Sequence, residues 1–308
     1  MRLGILDFCL IRPGLEPYHS LYESVRVAQE LEQLGYSRFW MAEHHELLYA
    51  QHVPDLMVPL IAGSTESIRI GVAGMLMKLH SPMRVAKAFR MLEAMFPGRI
   101  DLGVGGGEAE PPVIEAMRAP SAPEPIEKVR EGYSQRVLQL LSLVRGESPL
   151  AFNPLGTPPP PFWMLGLSNP GSARTAAQHG TCYGFSLAHV QSRDNPAITS
   201  IYLDEFRPNA HQPKPEMIVA VSGLCAETEE EARKLALTGI GSMDPALMVV
   251  GNPEQCREKL ETLAHRYRAD EIIFLDVAPD EASRLRGYRL LASALRLGTA
   301  STEARKTA

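Results

Sequence analysis

Short apolar runs alternate with amphipathic segments along most of the 308-residue chain. Residues 3–8 form an apolar run of strand length, after which Leu21, Val25, Ala28 and Leu31 recur at the spacing of one helix face. Repetition of this pattern predicts eight strand–helix units, which form a parallel sheet through right-handed crossovers. The predicted strands occupy residues 3–8, 39–42, 68–74, 99–104, 162–167, 183–187, 217–226 and 271–277.

Eight such units in a chain of this length predict an α/β fold of the (β/α)8 TIM barrel type. A doubly wound sheet with an extra lobe is the alternative, but the glycine-rich run at 103–107 lacks the third glycine and the helix of a dinucleotide-binding turn. We therefore expect one barrel domain over residues 1–298 and a disordered tail over 299–308.

Two proline-rich stretches interrupt the alternation. Residues 108–125 are expected to form a long loop after the fourth strand, and residues 149–161 a second one before the fifth, with a helix at 126–144 between them. Long loops on a barrel rim are often lids, and disorder is the alternative reading.

Charge and cysteine content exclude several classes of function. The net charge of −5 comes without a basic cluster, so nucleic acid is not an expected partner. The four cysteines lie far apart and indicate reduced, buried thiols rather than a zinc site or a disulfide framework. The sequence contains no apolar run of about 20 residues and no leader before the first strand, so we expect a cytoplasmic protein with no membrane contact.

An acid and two imidazoles, Glu43-His44-His45, follow the second predicted strand directly. The carboxyl ends of the strands form the catalytic face of a barrel, and ionisable groups there are costly without partners. We predict that His44 is a general acid or base, and that Glu43 either orients it or anchors a neighbouring loop. A surface loop that happens to hold two histidines is the alternative. No metal site is expected, because adjacent side chains point to opposite sides of a strand.

Histidines elsewhere in the chain are not adjacent to other ionisable residues in a comparable motif. His80 precedes a predicted helix and either lines the pocket or serves the helix entry, and His45 is expected to be structural. The remaining histidines are also assigned structural roles: His19, His52, His179, His189, His211 and His265.

The other residues expected at the catalytic face are small or apolar. Such a surface suits a flat aromatic ligand that approaches the backbone closely, although any single glycine could simply serve a tight turn. These predicted ligand-binding residues are Phe8, Ala73, Gly74, Gly103 and Gly105.

A short segment with small hydroxyl and amide side chains links the fifth strand to its helix, at Ser168, Asn169, Gly171 and Ser172. Free amide groups at a helix start bind phosphate or another anion. An ordinary helix cap is the equally open alternative.

Two stretches, LGYSRFWMAEHH at 34–45 and FPGRIDLGVGGG at 96–107, resemble the bacterial luciferase-like flavin-dependent monooxygenase family. The segment VGNPEQCREKLETLAHRYRADEIIFL at 250–275 resembles the last units of the same family. The resemblance implies a barrel that binds reduced FMN supplied by a separate NAD(P)H:flavin reductase. It also implies that a flavin peroxide formed with O2 oxygenates a small organic substrate, and that the protein is a homodimer. An F420-dependent hydride-transfer enzyme and a non-catalytic flavin-binding protein are the alternatives.

The resemblance also implies roles for individual residues. It places the FMN phosphate at Ser168, Asn169, Gly171 and Ser172, and a non-prolyl cis peptide at Ala73–Gly74 behind the flavin ring. One feature of the family is missing. Luciferases carry a phosphate-binding arginine after the fourth strand, where this chain has glycines, so Arg118 or Arg174 is the suggested substitute.

Overall fold

Eight parallel strands close into a barrel in the computed structural model, which describes residues 1–118, 126–238 and 244–298. Each strand pairs with the next in the chain, and the last one pairs with both the first and the seventh, which completes the ring. The predicted TIM barrel is therefore confirmed. The ring strands are β1 (Arg2–Asp7), β2 (Arg38–Met41), β3 (Arg69–Leu76), β4 (Ile100–Gly105), β5 (Phe162–Gly166), β6 (Cys182–Ser186), β7 (Met217–Cys225) and β9 (Glu271–Asp276).

Helices pack around the ring. Proline opens several of them, because its fixed φ suits the first helical turn and its missing N–H is not needed there. Asn252 caps α10 together with Gln255, whose side chain bonds back to the cap backbone. The helices are α1 (Pro17–Gln33), α2 (Pro54–Gly63), α3 (Pro82–Met95), α4 (Pro111–Arg118), α5 (Ile126–Glu131), α6 (Tyr133–Arg145), α7 (Pro170–Gln178), α8 (Ala197–Glu205), α9 (Glu229–Thr238), α10 (Pro253–Tyr267) and α11 (Glu281–Ala294).

Three local predictions differ from the structure. The expected loop at 108–125 contains α4, which begins at Pro111, where proline is tolerated in a first turn; residues 119–125 lie outside the described part. The single helix expected at 126–144 is divided into α5 and α6 at Gly132, a poor helix former. A short additional strand, β8 (Val249–Gly251), pairs with the end of β7 outside the ring. Residues 149–161 contain no helix or strand, as predicted, and the tail at 299–308 lies outside the described residues.

The amino end of the barrel interior is closed by buried ion pairs. Arg38 lies 3.1 Å from Asp101 and 3.4 Å from Glu271, and Arg69 donates two hydrogen bonds to Asp101 at 2.8 and 2.9 Å. The guanidinium of Arg38 also lies 4.7 Å from the ring centre of Trp163. This end is therefore filled and polar, and an accessible site in the barrel must lie at the opposite, carboxyl end.

Across the described ranges, none of the helices has the length and apolar character that crossing a bilayer requires.

Candidate active site

Glu43 follows β2 and anchors the end of β3. One carboxylate oxygen accepts hydrogen bonds from His45 Nε2 at 2.9 Å and His80 Nε2 at 2.7 Å, and the other accepts from the amide of Leu76 at 2.9 Å. Burial alone would raise the pKa of Glu43, but the hydrogen bonds from the two imidazoles outweigh it and lower the pKa to about 2. Of the two roles considered for Glu43, these contacts are those of the loop anchor, and none of its hydrogen bonds within the described chain goes to His44.

His44, the next residue, lies between aromatic side chains. Its ring stacks on Tyr49 with centres 4.5 Å apart and planes at 25°, and it meets Phe8 edge-on at 4.7 Å. Burial lowers the pKa of His44, and the carboxylate of Glu46, 3.8 Å from Nδ1, opposes this only in part. The imidazole is thus held neutral near pH 7, the form that can accept a proton.

His189 belongs to the same face, although a structural role was expected for it. It lies in the loop after β6, and its charge is among the influences that lower the pKa of His44. Its Nδ1 accepts a hydrogen bond from the amide of Gln191 at 3.1 Å, so the neutral ring carries its proton on Nε2. Its position in the sequence could have indicated this placement, because His189 follows the sixth predicted strand by two residues and residues of the catalytic face lie just after the strands.

The glycines of the predicted flavin face divide into two kinds. A Cβ on Gly74 would lie 2.7 Å from Leu165 Cδ1, and one on Gly103 would overlap the carbonyl oxygen of Val72, so both are explained by close packing of neighbouring strands. A Cβ on Gly105 would meet nothing nearer than 3.9 Å. Close packing therefore does not require a glycine at position 105, at the carboxyl end of β4. The Ala73–Gly74 peptide is cis, as the resemblance implied.

The start of α7 carries the predicted phosphate segment. Asn169 caps the helix by accepting from the amide of Gly171 at 2.8 Å, and Ser168 Oγ donates to the carbonyl of Gln191 at 3.1 Å. Ser172 Oγ lies 3.2 Å from the Asn169 carbonyl and 3.3 Å from the Tyr183 hydroxyl. The cap reading therefore accounts for Asn169. A helix start still offers amide donors to an anion, so the segment also fits a phosphate group.

The two arginines suggested as phosphate partners both contact other groups of the protein. Arg174 contacts Glu205 of α8 at 3.3 Å, and Arg118 reaches the carbonyl of Lys78 at 3.5 Å. Lys78 itself donates to the carbonyl of Gly106 at 2.8 Å, so it is a cation held beside the glycine run after β4. Within residues 1–118, 126–238 and 244–298, no three His, Cys, Asp or Glu side chains form a group able to hold a metal ion.

Comparisons with known proteins all point to the same family. A family model described as luciferase-like monooxygenase matches residues 1–245. The uncharacterised protein YceB of Bacillus subtilis is 32% identical over 328 residues, which cover 95% of this chain and 98% of that protein.

Solved structures show the same similarity. The structure of apo-MsnO8 superposes with a TM-score of 0.85 at 31% identity, covering 96% of this chain and 98% of the other. Two structures below 20% identity share the fold. The oxygenating constituent of 3,6-diketocamphane monooxygenase from Pseudomonas putida, in complex with FMN, has a TM-score of 0.75 at 17% identity, with 96% and 98% coverage. An F420-dependent secondary alcohol dehydrogenase has a TM-score of 0.69 at 16% identity, with 96% and 99% coverage.

Proposed function

Because the chain belongs to the luciferase-like monooxygenase family, we propose that it is a flavin-dependent monooxygenase that oxygenates a small organic substrate. The observation that carries this proposal is the neutral His44 at the same end of the barrel as Gly105, a glycine that close packing does not require. A flat ring system with a phosphate tail fits this face, because the glycine-bearing end of β4 and the start of α7 belong to the same end of the barrel. Reduced FMN, when bound, supplies the electrons that activate O2.

The residues of this chain bind and orient the reactants. We assign the phosphate group to the amides at the start of α7 and to the Ser172 hydroxyl, with Ser168 fixing the neighbouring loop. The backbone at Ala73–Gly74 and Gly105 would hold the flavin ring, and Phe8 would form part of the apolar wall. This wall excludes water from the reacting atoms.

Proton transfer falls to His44. Its neutral imidazole accepts a proton from the substrate or donates one after it is charged, whereas Glu43 positions the end of β3. The chain has no nicotinamide-binding fingerprint, so the proposal includes a separate NAD(P)H:flavin reductase.

The second candidate is F420-dependent hydride transfer, favoured by the fold shared with the F420-dependent alcohol dehydrogenase. A third is flavin binding without turnover, favoured by the glycines that replace the family arginine after β4. Affinity for each reduced cofactor distinguishes F420-dependent hydride transfer from the flavin-dependent monooxygenase. Reaction of the bound flavin with O2 distinguishes the monooxygenase from a flavin-binding protein without turnover.

We also infer a homodimer. α2 and α3 expose apolar side chains at Leu56, Leu60, Met91 and Met95, and a groove of about 550 Å³ runs between α3 and residues 152–154. Exposed apolar side chains of this size on neighbouring helices are typical of a subunit interface. Sedimentation velocity should show that the wild-type protein is a dimer and that Leu56→Glu dissociates it. The control variant Leu237→Glu, on the exposed side of α9, should leave the dimer intact. A wild-type monomer at micromolar concentration contradicts the inference.

The decisive experiment for function is anaerobic titration with reduced FMN and with reduced F420, followed by rapid mixing with O2. Micromolar binding of reduced FMN and a transient absorbance distinct from reduced and oxidised flavin are expected. Binding of F420 alone would replace the proposal with hydride transfer. Tight FMN binding with no transient absorbance would indicate a flavin-binding protein, and no binding of either cofactor would refute the enzyme assignment.

A further inference from the structure

The loops after β1 and β2 are joined above the catalytic face. Leu10 and Tyr49 form an isolated antiparallel bridge. The amide of Ala50 donates to the carbonyl of Cys9, and the amide of Ile11 donates to the carbonyl of Leu48, both at 2.8 Å. This pairing ties together two segments that the chain separates by about one whole strand–helix unit.

The joined loops bring two aromatic rings against His44. Tyr49 covers one face of the imidazole at 4.5 Å and 25°, and Phe8 meets it edge-on at 4.7 Å and 65°. Phe8 and Tyr49 also contact each other, with centres 5.9 Å apart and planes at 89°. The three rings therefore form one closed cluster, in which His44 has little freedom to rotate.

We propose that Tyr49 is a positioning residue for His44: its ring, fixed by the bridge between the two loops, holds the imidazole in one orientation at the catalytic face. The consequence for turnover rests on the proposed function, but the positioning itself is a property of the free protein. Only the ring is needed for this role, because the contact with His44 is a stacking contact.

The electrostatic surroundings of His44 support this role. Four ionisable groups act on it: Glu46 and Glu43 favour the imidazolium, and His189 and His45 oppose it. Burial is the largest influence, and it lowers the pKa of His44 because the charged ring loses contact with water. Tyr49 covers one ring face, so its removal should admit water and raise the pKa towards its ordinary value.

The test is an NMR titration of the histidine rings in the flavin-free protein, with the His44 signals assigned by their loss in His44→Gln. Tyr49→Phe should leave the His44 pKa unchanged. Tyr49→Ala should raise the His44 pKa, and the NMR signals of the His44 ring should average over several ring orientations. Equal pKa values in all three proteins overturn the proposal. An equal shift in Tyr49→Phe and Tyr49→Ala also overturns it, because the hydroxyl would then be the active part.

Folding of Tyr49→Ala is checked by thermal melting. If Tyr49→Ala does not melt cooperatively, Tyr49→Leu takes its place, since leucine covers the loop but offers no flat ring. The His44 ring signals of Tyr49→Leu are then expected to average over several ring orientations. Signals identical to those of the wild type overturn the proposal. In turnover assays we expect about a tenfold or larger loss in kcat for the Ala variant, rescued in Tyr49→Phe, with KM little changed. Because the titration needs no flavin, a failed oxygenase assay leaves its result intact.

Discussion

At the residue scale, adjacent positions after β2 have opposite tasks. The side chain of Glu43 is buried and makes three hydrogen bonds, whereas that of His44 lies beside Phe8 and Tyr49 and keeps 30% of its surface exposed. Side chains of neighbouring residues point to opposite sides of extended backbone, which separates the anchor from the proposed proton-transfer group. Each role can therefore be removed without the other.

Removal of the imidazole tests the proton-transfer role. His44→Gln should reduce turnover by roughly 10²-fold or more, because a positioned acid or base contributes about that much, while affinity for reduced FMN changes little. The pKa of His44 is lowered, so the neutral form persists to lower pH and the acid limb of kcat/KM should lie below about pH 6.5. His19→Gln, in the first turn of α1, is the matched control. A variant of His44 with full activity would exclude this residue as the catalytic group.

Removal of the anchor should instead affect stability. The pKa of Glu43 is about 2 in the folded protein against 4.5 in the unfolded chain, so ionised Glu43 stabilises the fold by on the order of 3 kcal/mol above pH 4.5, and this is lost as the pH falls towards 2. Glu43→Gln should therefore lower the free energy of unfolding in urea by a few kcal/mol at pH 7 and by less at pH 4. An equal loss at both pH values would mean that the charge of Glu43 is not what stabilises the protein.

At the element scale, β9 and α11 enclose a group of buried charges. Arg284 donates to Asp7 at 3.0 Å and to Glu23 at 3.1 Å, and Arg12 also donates to Glu23 at 3.0 Å, so two cations balance two anions. Asp276 is a third acid in this group. One of its oxygens accepts from the amide of Ala278 at 2.7 Å, and the other has no hydrogen-bond partner among the described residues.

Asp276 should make the protein less stable as the pH rises. Burial raises its pKa from 3.8 to about 7, so the folded protein keeps a proton that the unfolded chain loses, and the free energy of unfolding falls between about pH 4 and 7. Asp276→Asn should remove this fall and be more stable than the wild type at pH 8 by a few kcal/mol. Asp280→Asn, which retains the cap of α11, is the control. Parallel pH profiles of the wild type and Asp276→Asn would show that Asp276 is ionised throughout.

At the scale of the whole molecule, the two ends of the barrel carry different physical chemistry. Inside the ring, the amino end holds a network of buried ion pairs around Arg38 and Asp101, while the carboxyl end presents small residues and the aromatic rings beside His44. The charges around Arg284 lie outside the ring, between the strands and α11. A filled, charged end contributes fold specificity and offers no space for a ligand. The open end is free to vary its chemistry without loss of the barrel.

The sequence predicted the features of the fold that depend on neighbouring residues, and it did not predict the contacts of the site. Strand positions followed from apolar runs and helix starts from prolines such as Pro82, because both depend on neighbouring residues. The contacts of the site did not follow, since His80 reaches Glu43 from 37 positions away and Tyr49 meets His44 through pairing of two loops. Neither contact leaves a periodic pattern in the chain. β8 was missed for the related reason that three residues are too short to show one.

Substitutions at opposite ends of the barrel should separate stability from binding. Asp101→Asn leaves Arg38 and Arg69 without their shared carboxylate and should cost about 3–5 kcal/mol of unfolding free energy, with unchanged affinity for reduced FMN. Gly105→Ala should melt like the wild type, because the added Cβ would meet nothing nearer than 3.9 Å, but it should weaken reduced FMN binding about tenfold, because the methyl group stands where the flavin ring is assigned. Thermal melts and anaerobic titrations measure both. If Gly105→Ala binds FMN as tightly as the wild type, the flavin ring does not lie against β4 and the assignment of the face is wrong.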